Sequence, residues 1–160
     1  MKQWFEDRIG SAINGSNPMV MAELEGGYAV FGDVQFLPGY SVLLPKRHVS
    51  SLNELNIDER QSFLRDMSIL GDAILDVCHA DRINYDILGN TDNFLHAHVF
   101  PRYATEKRER LEKPVWLYSS DHWTDVQYRY DPMKHDTLRK RITEYLTNDC
   151  QKNHIEHIIF

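Results

Sequence analysis

Residues 94–100 read FLHAHVF, a strict two-residue alternation that constrains the whole chain. Side chains alternate faces along an extended strand, so Leu95, Ala97 and Val99 share one face and Phe94, His96, His98 and Phe100 the other. The first face is purely apolar and requires a cover. The second mixes imidazole with aromatic rings, the composition of a lined cleft. Pro101 follows and cannot donate to a ladder, so regular pairing is expected to end there.

The cover is also legible. Phe63, Met67, Leu70, Ile74 and Val77 recur at spacings of four, three, four and three residues, the period of one helical face. Asn56 can cap this helix, with Glu59 three residues on completing a capping box. MVMAEL and YAVFG flank Gly26 and Gly27 and read as a hairpin. DVQFLPG reads as a loop, and YSVLLP as a third strand with Tyr40, Val42 and Leu44 on one face. INYDILG (83–89) reads as a fourth strand. NTDN links it tightly to the fifth, so these two should form an antiparallel hairpin. WFEDRIGSAI predicts a short helix with Trp4, Ile9 and Ile13 inward, and a last helix is expected over about 135–147 with Leu138, Ile142 and Tyr145 on one face. The fold class is α+β: a five-stranded antiparallel sheet with the long helix on one face and a C-terminal helix. The 160 residues suit a single domain with a C-terminal extension from about residue 104.

A formal net charge of −6 argues against bulk attraction to nucleic acid. No apolar run approaches membrane-spanning length, and MKQWFEDRIG has no apolar h-region, so no leader is expected there. Cys78 and Cys150 fit no metal-ligand spacing. A reduced, cytoplasmic protein is expected.

His96 and His98 admit three readings. They can be structural. They can share a metal, with His48, Asp86 and Asp92 the nearest further donors, although no ligand spacing connects these. Or they can be catalytic: a neutral imidazole nitrogen attacks phosphorus, and a second imidazole beside it donates to developing charge or protonates a leaving oxygen. The catalytic reading ranks first.

FLHAHVFPRY resembles the signature of the histidine-triad family of nucleotide hydrolases and transferases. LPGYSVLLPKRHVSSLNEL is similar to the family's Pro-Gly turn, apolar strand and Pro-Lys-x-His, and INYDILGN to the strand before the triad. The resemblance covers roughly residues 20–103 and is nearest to the diadenosine-polyphosphate-hydrolase-like bacterial members. It implies a homodimer whose sheets join. Aligned on Pro-Arg, His96 falls on the nucleophile and His98 on the last triad histidine, while Phe94 takes the first position. Phenylalanine cannot hydrogen-bond, so another group, such as a backbone carbonyl, must orient His96. By the same resemblance Asn90 contacts the scissile phosphate and Asp33 lies near the ribose position, where the alternative is a turn residue. Phe94 would wall the cleft. Lys46, with Arg47 and His48, either attracts phosphate or forms a solvated loop. Arg102 either meets phosphate or pairs with a carboxylate. PVWLYSSDHW packs by default on the sheet, with a partner subunit or a base as alternatives.

The implied activity is hydrolysis at the α-phosphate of dinucleoside polyphosphates or nucleoside phosphoramidates through a nucleotidyl-histidine. A nucleotidyl transferase with the same intermediate, or a weakened nucleotide-binding scaffold, are the alternatives. No cofactor is implied, although magnesium can accompany a polyphosphate. Neither nucleic acid nor membrane is an expected partner.

Overall fold

The computed structural model describes residues 3–156, with side chains through residue 148. Five strands, β1 (Val20–Glu23), β2 (Gly27–Phe31), β3 (Ser41–Pro45), β4 (Arg82–Asp86) and β5 (Ala97–Arg102), form one antiparallel sheet in the order β1-β2-β3-β5-β4. Helix α1 (Arg8–Ile13) precedes the sheet and α2 (Ile57–Cys78) joins β3 to β4. After β5 come the short α3 (Arg108–Leu111) and α4 (Asp121–Thr124), then the long α5 (Pro132–Glu156). No described helix is long and apolar enough to cross a membrane.

The capping box at Asn56 forms as expected: Asn56 accepts from the Glu59 amide at 2.9 Å and the Glu59 carboxylate accepts from the Asn56 amide at 2.9 Å. It satisfies two amides that have no partner inside the helix. Phe63, Leu70, Ile74 and Val77 are buried along the predicted stripe. They close over Leu95, Ala97 and Val99, which are equally buried in the same core cluster. Each fully buried side chain of this size contributes about 1.5–3 kcal/mol. Ile142 and Leu146 of α5 complete this side of the core.

Several expectations are corrected. The fifth strand begins at Ala97, not Phe94, because the preceding backbone turns away: the Leu95 amide donates to the Val49 carbonyl and the Phe94 amide to the Asp92 carbonyl, both at 2.8 Å. It also runs through Pro101, which pairs with Ile83. The pairing with β3 ends at Val99 opposite Ser41, so β5 has one open side at Pro101, where a missing donor is tolerated. The β4–β5 link is not a tight turn but the whole of residues 87–96. The N-terminal helix is split, since Asp7 caps α1 by accepting from the Gly10 amide, which leaves Trp4–Glu6 as a separate turn and Ile13 exposed. The final helix runs well past 135–147 at both ends. Cys78 is a free thiol whose pKa burial pushes up to about 11, and the side chain of Cys150 lies outside the described residues.

Candidate functional site

The sheet face opposite α2 is not open. A cavity of about 890 Å³ lies over it, near the upper end of the range for small-molecule sites. Val30, Val42 and His98 are successive cross-strand neighbours on β2, β3 and β5, and all three line it. Trp4, Phe5 and Arg8 enter from the N-terminal segment, and residues 88–92 from the β4–β5 link. Trp116, Trp123, Arg129 and Tyr130 enter from the chain beyond β5.

His96 sits in this lining with only 8% of its surface accessible, its ring 4.7 Å from those of Phe94 and His98. Its Nδ1 lies 2.8 Å from the Phe94 carbonyl oxygen. A carbonyl can only accept, so Nδ1 carries the proton and donates. In the neutral ring Nε2 then holds the lone pair, and no described group bonds it. The backbone of the residue that cannot supply a side-chain hydrogen bond therefore orients the imidazole.

His98 is tuned differently. Its Nδ1 lies 2.7 Å from the Tyr40 hydroxyl. Burial, and then the neighbouring His96, push its pKa down to about 3, so the ring is neutral near pH 7. The Tyr40 pKa is raised, first by burial, so its hydroxyl stays protonated. That hydroxyl has no other acceptor among the described residues. It donates to Nδ1, which places the remaining ring proton of His98 on Nε2. The turn before Tyr40 is fixed from within: buried Gln35 donates to the carbonyls of Gly32 and Tyr40, both at 2.9 Å, and accepts from the Gly39 amide at 2.8 Å. Gly39 has φ +97°, and a Cβ there would lie 2.5 Å from Cys78 Sγ, so only glycine fits.

The remaining sequence candidates divide. Asn90 and Asp33 line the cavity, as does Phe94, and Asp33 is ion-paired with Arg8. Lys46 does not reach it: its ammonium pairs with Glu23 and lies 4.6 Å from the Tyr28 ring centroid. Arg47 pairs with Glu59 and His48 with Asp7, so this trio serves the surface. Arg102 is likewise outside the cavity. It is buried, and its guanidinium donates to Glu106, Asn84, the Tyr118 hydroxyl and the carbonyls of Arg110 and Lys113. That is the carboxylate-pairing alternative, extended to backbone. Among the described residues no group of three or more His, Cys, Asp or Glu is placed to hold a metal ion, and Asp86 instead accepts from the Trp116 indole at 3.2 Å.

Sequence reasoning missed the partnership of Tyr40 with His98 and the Arg8–Asp33 pair, whereas PVWLYSSDHW packs on the sheet as its default reading has it, Trp116 and Trp123 both against Phe100 of β5. Alternation already placed Tyr40 on one face with Val42 and Leu44, and all three line the cavity. Which strand lies beside β3, and hence the histidine partner, had no local signal.

A family model for the HIT domain matches residues 19–105. No curated protein sequence matches the chain. Solved structures do. A histidine triad protein from Sinorhizobium meliloti superposes with TM-score 0.68 at 20% identity, covering 82% of this chain and 91% of the other. A hypothetical histidine triad nucleotide-binding protein from Sulfolobus tokodaii gives 0.67 at 19%, covering 88% and 92%. A diadenosine triphosphate hydrolase from Plasmodium falciparum gives 0.58 at 14%, covering 81% and 77%.

Proposed function

This chain belongs to the HIT domain family, and from that premise we propose that it is a nucleotide hydrolase acting at the α-phosphate through a covalent nucleotidyl intermediate on His96. Dinucleoside polyphosphates and nucleoside phosphoramidates are its substrate classes, in line with the activity named for the Plasmodium falciparum neighbour. The observation that carries the reading is the Nδ1 hydrogen bond of His96 to the Phe94 carbonyl, which leaves Nε2 free as the nucleophile.

In the first step the Nε2 lone pair attacks phosphorus and the bond from phosphorus to the leaving group breaks. The electron pair leaves with that group, as a phosphate anion from a polyphosphate, or from a phosphoramidate as the neutral amine once its nitrogen has taken a proton from solvent water; the phosphorylated imidazole is cationic, with its Nδ1 proton still held by the carbonyl. In the second step water attacks phosphorus, the P–N bond breaks, a proton is released, and neutral His96 returns. His98, neutral with its proton on Nε2, acts as a hydrogen-bond donor to the phosphoryl oxygens rather than as an acid. Asn90 contacts the same phosphate, and Asp33, held by Arg8, meets the ribose.

Phe94 occupies the first triad position. Its carbonyl already does the orienting, so Phe94→His is expected to leave turnover unchanged or lower. A large gain in that variant would show the wild type to be a decayed enzyme. The protein works in the cytoplasm as a homodimer, for which the open edge of β4, with Tyr85 exposed, is a pairing template. Pure protein assayed on adenosine and guanosine polyphosphates and phosphoramidates, with and without inorganic phosphate, tests the activity. Release of a nucleoside monophosphate is expected in both conditions. Products that carry the added phosphate would make it a transferase, and no turnover on the panel would refute both.

A further inference from the structure

Beyond the residues that match the family model, the chain builds one more part of the site. Trp116 and Trp123 stack at 4.9 Å between centroids with 5° between planes, and both line the cavity. Trp116 also meets the His98 ring at 4.7 Å and 77°. Trp4 and Phe5, the large rings that enter from the N-terminal segment, meet each other rather than either histidine.

Trp116 is held from three directions. Its indole nitrogen donates to Asp86 on β4 at 3.2 Å. On one side in sequence, the Arg102 guanidinium bonds the carbonyls of Arg110 and Lys113 at 2.8 and 3.0 Å. On the other it bonds the Tyr118 hydroxyl at 2.8 Å, while Val115 is buried. Yet Trp116 itself keeps 38% of its surface accessible. A large aromatic ring pinned in place but left uncovered is a platform rather than core filling.

Resting on the hydrolase reading, we infer that Trp116, backed by Trp123, stacks the base on the departing side of a dinucleoside polyphosphate. Displacement at phosphorus places the leaving group roughly in line with the attacking nitrogen, on the side away from it. The rings follow one another as Phe94, His96, His98 and Trp116, 4.7 Å between neighbours, so Trp116 stands beyond His98 from the attacking ring, where a departing group can lie. A cavity of about 890 Å³ also has room for more than a single nucleotide. A stack against an indole face is tolerant of base identity, so the subsite selects for an aromatic leaving group rather than for one base.

The test compares two substrates with the same adenylyl group: diadenosine triphosphate, which departs with a second base, and adenosine 5′-phosphoramidate, which departs with ammonia. Trp116→Leu should lower kcat/KM for the first about tenfold, the scale of one lost base–aromatic stack, and change the second less than about twofold. Trp116→Phe should recover most of the loss. Equal losses on both substrates, or none on either, overturn the subsite. If the wild type turns over neither substrate, the hydrolase reading fails, and calorimetric binding decides the subsite separately. His96→Ala protein should then bind diadenosine triphosphate about tenfold more tightly than AMP, and adding Trp116→Leu should erase that preference. Equal affinities, or a preference that survives Trp116→Leu, overturn it.

Discussion

The two faces of the sheet are built from different materials. Toward α2 lie Leu43, Leu95, Ala97 and Val99, aliphatic and fully buried, in one core cluster with Phe63, Leu70 and Ile74 of the helix. On the other face Tyr40, Phe100 and Tyr118 form a second cluster with Leu37 and Val115, and Trp123 packs against it. The first side packs to the density of any protein interior and leaves no room for a ligand. The second side keeps a cavity, whose ring-bearing residues are fixed by hydrogen bonds such as Tyr40 to His98 and Trp116 to Asp86. The same strand thus supplies stability on one face and a shaped, polar-edged cavity on the other.

The sharpest way to break this comparison is one substitution per face. His96→Ala should reduce turnover by at least about a thousandfold, since only the nucleophile is lost, with little change in melting temperature. Leu70→Ala should cost about 2–5 kcal/mol in denaturant titrations while the folded protein keeps its kcat. A core variant that loses activity while folded would show that the faces are not separable.

Arg102 sharpens the comparison because it serves the cavity side through stability. Arg102→Met leaves the Glu106 carboxylate, only 8% exposed, without its cation and should cost about 3–5 kcal/mol. It also frees the segment carrying Trp116, which tryptophan fluorescence should report as a red shift.

A smaller effect is expected at Tyr40. Tyr40→Phe removes the donor to His98 Nδ1 and leaves a buried acceptor unpaired, costing about 1–3 kcal/mol. His98 itself adds a pH dependence. Its pKa in the folded protein is about 3, below the unfolded value near 6.5. The unfolded chain therefore binds the extra proton first. Stability from this group is complete above pH 6.5 and falls between there and pH 3, at up to about 1.4 kcal/mol per pH unit. Melting curves across that window should be less steep in pH for His98→Asn than for the wild type. The smallest effect belongs to Lys46: Lys46→Met, at a surface ion pair outside the cavity, should shift stability by about 0–1 kcal/mol and leave kcat unaltered.

What could be read in advance follows from range. The stripe from Phe63 to Val77, the Asn56–Glu59 box and the two-residue alternation around His96 are local patterns, and each forms. The start of β5 was misplaced because Leu95 bonds to Val49, far back in the chain, and no feature of FLHAHVF signals that. Lys46 follows β3 and looked available to phosphate, but a charge meets whatever the fold brings near, and here that is Glu23. Asp33 was read near the ribose position, and the structure places it in the cavity, yet its Arg8 partner lies on a helix whose packing the sequence did not reveal. The aromatic run around Trp116 was visible, but its placement depends on the Arg102 clamp, which links residues from β4 to Tyr118.

The central claim is that His96 is the covalent nucleophile. Rapid quench with diadenosine triphosphate labelled at the α-phosphates, followed by peptide mapping at neutral to alkaline pH, tests it most directly. The account predicts an acid-labile nucleotidyl group on the peptide containing His96, formed within the first turnover and absent in His96→Ala. Label on another residue, or full activity of His96→Ala, would contradict it.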